Sequence, residues 1–358
     1  MTGLPTTMRA VRVEEWGARP VLAEVPVPMP VGDQVLLRVD AAGLCHSDLH
    51  IMDATPGALP YELPFTLGHE VVGTVAAAGD GVSGDELAAL EGIPQAVHGL
   101  WTCGRCRQCR RGRENYCFGL TGAIGAGIGH DGGLAEYILV PSSRHVVPAG
   151  GIAPVAVAPL TDAGLTAFHA LQPYDDVVRG GVVVIIGIGG LGHLALQLVT
   201  AGRPEAVVAV DPRPDARHVA DRLGATVSVN RVEDVGPALA DLGFPEGADL
   251  VLDFVGAHRT IAALPEVIAP GGQMAWVGSA GGSLEVAKGG DLPRGWGIRA
   301  PFWGTRNDLV EVVRLAREGL LRAETATFGL DEAVTAYEQL RNGQVQGRAV
   351  VVPAPGHP

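Results

Sequence analysis

The chain of 358 residues has few aromatic residues (5%), few charged ones (18%) and only five cysteines. It also lacks a clean apolar run of membrane-spanning length. The most apolar stretch, residues 182–199, is broken by four glycines, His193 and Gln197. It therefore reads as a buried strand running into a helix, not as a bilayer span. The opening residues, MTGLPTTMRAVRVEEWG, carry no apolar core and do not read as a secretion signal. Positive charge is short as well. With 26 Lys and Arg against 39 Asp and Glu, the formal net charge is −13, which argues against a nucleic-acid or membrane-surface partner. A hydrophobic content of 47% points to a well-buried globular protein rather than a disordered one. At this length two domains are expected.

The five cysteines divide four and one. Cys103, Cys106, Cys109 and Cys117 stand in CGRCRQCRRGRENYC, with the spacing C-x2-C-x2-C-x7-C. That is compact enough for one tetrahedral tetrathiolate zinc site of the closed, structural kind. The run also holds Arg105, Arg107, Arg110, Arg111 and Arg113. Two readings of them compete: a nucleic-acid zinc module, or cations that offset the charge of zinc with four thiolates. The close spacing, the missing aromatic interleaving and the acidic chain favour the second. Cys45 stands alone in AGLCHSDLH, and His69 follows in TLGHE. Either could be an ordinary buried residue. Each, however, has an acidic neighbour, Asp48 and Glu70, of the kind that supports metal ligands from behind. Asp162, in PLTDAGLT, is the candidate third ligand, although spacing alone does not select it. A Cys–His–Asp set leaves one position open for water or a substrate oxygen. Thiols spaced as metal ligands, with no export signal, suit the reducing cytoplasm.

The first 150 residues consist of short β-like runs separated by Gly and Pro. After Pro159 longer helical patterns alternate with apolar strands at 182–186, 207–210, 250–254 and 274–277. Such alternation predicts a doubly wound parallel sheet with helices on both faces. The strand VVVII leads straight into Gly187-Ile-Gly189-Gly190-Leu191-Gly192 and then a helix. A lone GxGxxG is weak in a chain with 51 glycines, but this one lies between strand and helix, and Asp211 ends the next strand nineteen residues on. The glycines would let backbone N–H groups approach a pyrophosphate. Asp211 would accept the adenosine ribose hydroxyls and repel a 2′-phosphate, favouring NAD, with Arg213 close enough to soften that preference. Helices are expected over 308–319 and 331–342, and a closing strand over 348–352.

Taken in order, GLCHSDLH, TLGHE, the four-cysteine run, GGLAEY, PLTDAGLT, GIGGLG, DFVGA, VGS, WGTR and GRAVVV resemble the zinc-dependent medium-chain alcohol dehydrogenase family over nearly the whole chain. The resemblance implies an α/β protein: a GroES-like, β-rich catalytic domain at residues 1–157 and 298–358, with the zinc lobe at about 100–118, and a Rossmann domain at 158–297. It implies two zinc ions per chain, NAD, and reversible oxidation of alcohols to ketones or aldehydes. Asp162 stands where many members have cysteine, as in a bacterial subgroup acting on secondary alcohols and aryl ketones. Ser47 resembles the residue that takes the alcohol proton and passes it through the nicotinamide ribose to His50. Asp48 and Glu70 resemble the groups behind the zinc, and His46 a pyrophosphate contact. Thr166 resembles a residue packed near the nicotinamide, Val255 a cofactor contact, Val277 and Ser279 backbone partners of the carboxamide, and Arg348 a pyrophosphate clamp. The substrate pocket is expected at Tyr61, Trp101, Phe118, Phe302 and Trp303. The partners implied are a small alcohol or ketone and further copies of the chain, as homodimer or homotetramer, with an edge strand near 274–277. A polyol or amino-alcohol dehydrogenase of the same family is one alternative, and a non-catalytic zinc-stabilised nucleotide- or nucleic-acid-binding protein is another. The segment 83–100 departs from the family by a few extra residues and a lost turn. His98 within it is expected at the surface.

Overall fold

The structure, a computed structural model, describes residues 3–287 and 290–353. It divides into two units, one formed by Met1–Asp162 with Thr305–Pro358 and the other by Ala163–Gly304. These limits lie a few residues beyond the expected 157/158 and 297/298.

The first unit is β-rich. Its largest sheet has seven strands, in the order Val146–Pro148, Gln95–Val97, Glu70–Ala78, Val35–Gly43, Arg348–Val352, Thr325–Gly329, with Tyr137–Val140 also paired to Val35–Gly43. Residues far apart in the chain therefore share one sheet. Val350 and Val351 pair with Gly43 and Ala42, and Gly43 pairs with Glu70 across the opposite edge. A three-stranded sheet of Thr7–Val13, Val21–Pro26 and Phe65–Thr66 lies in the same unit. Alternation along Thr7–Val13 sends Met8 and Ala10 to one small core with Val27, Leu36 and Ala135.

Segment 83–100 folds its extra residues into a helix, Gly84–Leu90, capped by Ser83, whose Oγ accepts from the Glu86 N–H at 3.3 Å. The strand Gln95–Val97 follows, and His98 is only 1% exposed, with its N–H on the His145 carbonyl at 2.7 Å. The expected surface position for His98 is thus corrected: it continues a buried strand.

The second unit holds six parallel strands in the order Val227–Val229, Ala206–Val210, Val182–Ile186, Ala248–Asp253, Ile268–Trp276, Gly297–Arg299. The chain works outward from Val182–Ile186 in one direction and then the other, so the order reverses beside that strand. At such a switch point the carboxyl ends of the strands open a crevice for a ligand. The strands Val182–Ile186 and Ala206–Val210 are buried throughout, as their uninterrupted apolar runs require. The edge strand is Gly297–Arg299, with Ile298 exposed, and not the expected stretch near 274–277, which lies one strand further in. No helix among the described residues is long and apolar enough to cross a membrane.

Candidate active site

In the four-cysteine lobe all thiols are free, and the sulfurs lie 3.9 Å apart for Cys103–Cys109, 3.5 Å for Cys106–Cys109 and 3.9 Å for Cys106–Cys117. A zinc tetrahedron with 2.3 Å bonds has sulfur–sulfur edges of about 3.8 Å, whereas a disulfide is about 2 Å long. The donor set thus fits a closed metal centre. Backbone N–H groups of Cys106 and Gly119 point at Cys103 Sγ and Cys117 Sγ, at 3.4 and 3.3 Å. N–H donation, from Cys109 first and then Phe118, lowers the Cys106 thiol to about 6, which favours the thiolate.

The arginines here are partly used by the lobe itself. The Arg107 guanidinium lies 5.6 Å over the Phe118 ring, Arg113 lies 5.2 Å over Tyr116, and Arg110 donates to the Arg105 carbonyl. Phe118 is 58% exposed in this stack, so it is not the pocket wall that the sequence suggested. Arg144 braces the lobe by donating to Thr102 Oγ1 at 2.9 Å and to His145 Nε2 at 3.1 Å. The indole of Trp101, also expected in a pocket, packs edge-on against His145 with centroids 5.3 Å apart.

The second donor group is buried. Cys45, His69, Glu70 and Asp162 each offer a ligand atom, and these atoms all lie within 4.8 Å of one another. Cys45 Sγ is 3.7 Å from Asp162 Oδ2, and His69 Nε2 is 3.5 Å from the same oxygen. A tetrahedral zinc spans about 3.4–3.6 Å across such mixed edges, so these residues fit a metal too. Charge says the same. Burial alone would lower the His69 pKa, but Asp48, Asp162 and Cys45 prevail and raise it well above its usual value. Such surroundings call for a cation.

Local folding explains the convergence. Cys45 ends the strand-to-helix turn, and its N–H donates to Asp48 Oδ2 at 3.0 Å. In the helix His46–Met52, Asp48 points inward while His46, Ser47 and His50 are exposed, so Ser47 and His50, three apart, share a face. Ser47 Oγ lies 3.7 Å from Cys45 Sγ. His69 precedes the strand Glu70–Ala78 and turns Nδ1 onto Asp48 Oδ1 at 3.0 Å, which leaves Nε2 for the metal side.

Arg348, expected as a pyrophosphate clamp, lies beside the buried donor group. Its guanidinium is 3% exposed and donates to Glu70 Oε1 and the Leu44 carbonyl. Burial, opposed mainly by Arg348, raises Glu70 to about 7. Gly43 makes room for this pair, since a Cβ there would overlap the Glu70 carboxylate. Tyr61 lies edge-on to Phe65 at 6.1 Å. Burial raises its phenol, with a smaller opposing pull from His69.

In the second unit the turn after Val182–Ile186 is shaped by its glycines. Gly187 has φ +87, and a Cβ would meet Val255 Cγ2 at 2.7 Å, while a Cβ on Gly189 would have only Arg213 Nη2 nearby, at 3.8 Å. Gly189 thus leaves backbone open to an approaching phosphate, at the start of the helix Gly192–Ala201, which Leu191 precedes as N-cap. Gly190 lies in the same turn. Asp211 Oδ2 accepts the Ile188 N–H at 2.9 Å and so ties the turn to the next strand. Asp253 Oδ1 accepts the N–H groups of Val255 and Gly256, both at 2.8 Å, and holds the loop facing Gly187. The Val277 N–H is bonded to the Asp253 carbonyl at 2.9 Å, so a carboxamide contact there would fall to its own carbonyl; Ser279 is exposed. Thr166 is buried in the helix Ala163–Leu171. Trp303 is buried, but its neighbour Phe302 is 42% exposed, which weakens the latter as a wall.

Two features escaped the sequence reading: the hydroxyl of Tyr337 on Asp48 Oδ2 at 2.9 Å, and the guanidinium of Arg213 on Asp211. Burial at Ala333, Ala336, Tyr337 and Leu340 follows helical spacing, so an inward Tyr337 was legible, but its partner, 289 residues away, was not.

Known proteins show the same combination. Residues 32–151 match the alcohol dehydrogenase GroES-like domain, and residues 190–318 the zinc-binding dehydrogenase domain. A NAD-dependent alcohol dehydrogenase of Sulfurisphaera tokodaii is 33% identical, over 97% of this chain and 100% of its own. The crystal structure of an alcohol dehydrogenase from Aeropyrum pernix superposes with a TM-score of 0.87 at 33% identity, over 96% of this chain and all of that one. Acetophenone reductase from Geotrichum candidum, solved with NAD, gives 0.86 at 31% identity over 98% of each chain. With both donor groups and the glycine turn in place, the chain belongs to the zinc-dependent medium-chain alcohol dehydrogenase family.

Proposed function

We propose that the protein catalyses the reversible, NAD-linked oxidation of secondary or aryl alcohols to ketones. The observation that carries this reading is the meeting of Cys45, His69 and Asp162, from three distant segments, with Ser47 Oγ beside the thiol. Cys45, His69 and Asp162 would hold zinc, with Glu70 in reach, and the four-cysteine lobe would hold a second ion. The bound zinc supplies Lewis acidity that eases loss of the alcohol proton, and NAD accepts the hydride.

The chain's own groups handle the proton and the fit. Ser47 Oγ takes the proton from the alcohol oxygen, and His50, exposed on the same helix face, delivers it to water. Asp48 holds His69 Nδ1 and so keeps Nε2 turned towards the metal. Gly187, Gly189 and Asp211 seat the dinucleotide. The similarity to acetophenone reductase supports a secondary or aryl alcohol. A polyhydroxylated substrate has support as well, because a D-arabinose 1-dehydrogenase (NADP(+)) of Saccharolobus solfataricus is 32% identical over 93% of this chain. The exposed edge Gly297–Arg299 supports a homodimer or homotetramer, and five free cysteines support a reducing, cytoplasmic setting.

The test is NADH absorbance across primary, secondary and aryl alcohols, polyols and D-arabinose, with NADP⁺ as control. The expected result is fastest turnover of secondary or aryl alcohols with NAD⁺. Preferential turnover of polyols would replace the substrate class. No hydride transfer by protein loaded with two zinc ions would overturn the activity.

A further inference from the structure

The helix Ala333–Arg341 is fastened to the helix His46–Met52 in two ways. On the outside, Arg341 Nη1 and Nη2 grip Asp53 Oδ2 and Oδ1 at 2.6 and 2.8 Å. Inside, Tyr337 Oη donates to Asp48 Oδ2 at 2.9 Å, with both residues almost fully buried. Asp48 divides its oxygens. Oδ2 also accepts the Cys45 N–H at 3.0 Å, and Oδ1 faces His69 Nδ1 at 3.0 Å. One carboxylate therefore ties together the backbone of one proposed zinc ligand, the ring of another, and Tyr337.

We propose that Tyr337 is a positioning residue for the catalytic zinc: its hydroxyl fixes the rotation of the Asp48 carboxylate, and through it the orientation of the His69 ring. The physical argument is geometric. A carboxylate can turn about its terminal torsion, whose wells are broad. Donors on Oδ2 from two directions, a backbone N–H and a phenol, confine that turn and so confine Oδ1. His69 then presents Nε2 at a fixed angle without ordering the ring anew each time metal binds. Burial, followed by the charge of Asp48, raises the phenol well above its usual range, so Tyr337 remains a donor. Its aromatic body fills the space between the helices, and only the hydroxyl serves the site.

This rests on reading Cys45, His69 and Asp162 as zinc ligands, and the experiment keeps the two apart. Tyr337→Phe removes one oxygen and keeps the packing. Arg341→Ala cuts the outer fastening of the same helix and serves as the control for loosened packing. Each protein is stripped and reloaded with Zn²⁺ and, separately, with Co²⁺; release to a chromogenic chelator and the visible cobalt bands are followed without substrate. Tyr337→Phe is expected to weaken the second metal about tenfold, with altered cobalt bands, while the lobe metal is unchanged. Arg341→Ala is expected to bind metal as wild type does. In a double-mutant cycle with Asp48→Asn, the Tyr337→Phe effect should largely vanish, because it acts through that carboxylate. Wild-type affinity and bands in Tyr337→Phe, equal losses in Arg341→Ala, or effects that add across the cycle would each overturn the proposal. A wild-type protein that takes one metal per chain would instead overturn the site reading on which it stands.

Discussion

Arg213 lies against Asp211 and caps its carboxylate: the Arg213 N–H and Nε reach Oδ1 at 3.0 and 3.1 Å, and Nη2 reaches Oδ2 at 3.1 Å. Asp211 is the group proposed to accept the adenosine ribose, so an incoming NAD competes with a residue two positions away. The guanidinium is also a cation beside the carboxylate that a 2′-phosphate would meet, with Arg217 on the Asp211 carbonyl at 2.8 Å. Removing it should free the Asp211 carboxylate, which a 2′-phosphate would then meet without the Arg213 guanidinium between them. Arg213→Ala is expected to raise the NAD⁺:NADP⁺ ratio of kcat/KM on the order of tenfold, the value of one charge-assisted hydrogen bond. An unchanged ratio would show that Arg213 takes no part in cofactor choice.

Cys45→Ala removes a ligand from the buried group and leaves the lobe intact. Turnover should fall to background while metal analysis still finds one zinc per chain. Cys106→Ser should lose the lobe metal instead, again leaving one zinc per chain, and lower the melting temperature, because the sulfur cluster closes residues 103–117 on themselves. A Cys45→Ala protein oxidising alcohols at the wild-type rate would remove Cys45 from the chemistry.

Arg348 and Glu70 form a buried ion pair on strands that flank Val35–Gly43. Deleting one partner leaves a charge without compensation. Arg348→Met is expected to cost about 3–5 kcal/mol of unfolding free energy. The loss should be visible as a shifted urea midpoint, and a shift below 1 kcal/mol would mean that Glu70 takes up a proton once its partner is gone.

His145 supplies a pH dependence. Burial first, and then the charge of Arg144, hold its pKa down to about 3. The geometry agrees, since Nδ1 faces the Ser142 carbonyl and Nε2 accepts from Arg144, so the ring is neutral. Below about pH 6.5 the unfolded chain takes up this proton and the folded protein does not. The stability tied to neutral His145 is thus whole above that pH and drains away as pH falls toward 3. The slope is about 1.4 kcal/mol per pH unit for one proton. His145→Gln should flatten the fall of the urea midpoint between pH 6 and about 4 by roughly that slope.

How much was legible depended on how local the signal was. Cysteine and histidine spacing, the glycine turn and Asp211 are written in adjacent residues, and the structure places each of them at a donor group or at the turn. Asp162 had only its resemblance to recommend it, because nothing near it in the chain marks a ligand. Phe118 and His98 went wrong for opposite reasons. An aromatic side chain can serve an arginine at the surface, and a histidine can continue a buried strand, and neither outcome is visible in residue type. The Tyr337–Asp48 and Arg348–Glu70 contacts join residues 289 and 278 positions apart, a distance that only the sheet order bridges.

That sheet order has a temporal side. The cofactor unit, Ala163–Gly304, is one unbroken stretch of chain and holds its own six strands. The strand Arg348–Val352 and the helix Ala333–Arg341, which complete the surroundings of Cys45 and His69, come after it in the order of synthesis. Chains fold as units while they are being made, N-terminal parts first. The amino-terminal β-structure must therefore wait, with Ala42 and Gly43 still lacking their partners Val351 and Val350, until everything between has been translated. During that interval the incomplete sheet, and not the cofactor unit, is the part of the nascent chain most in need of protection.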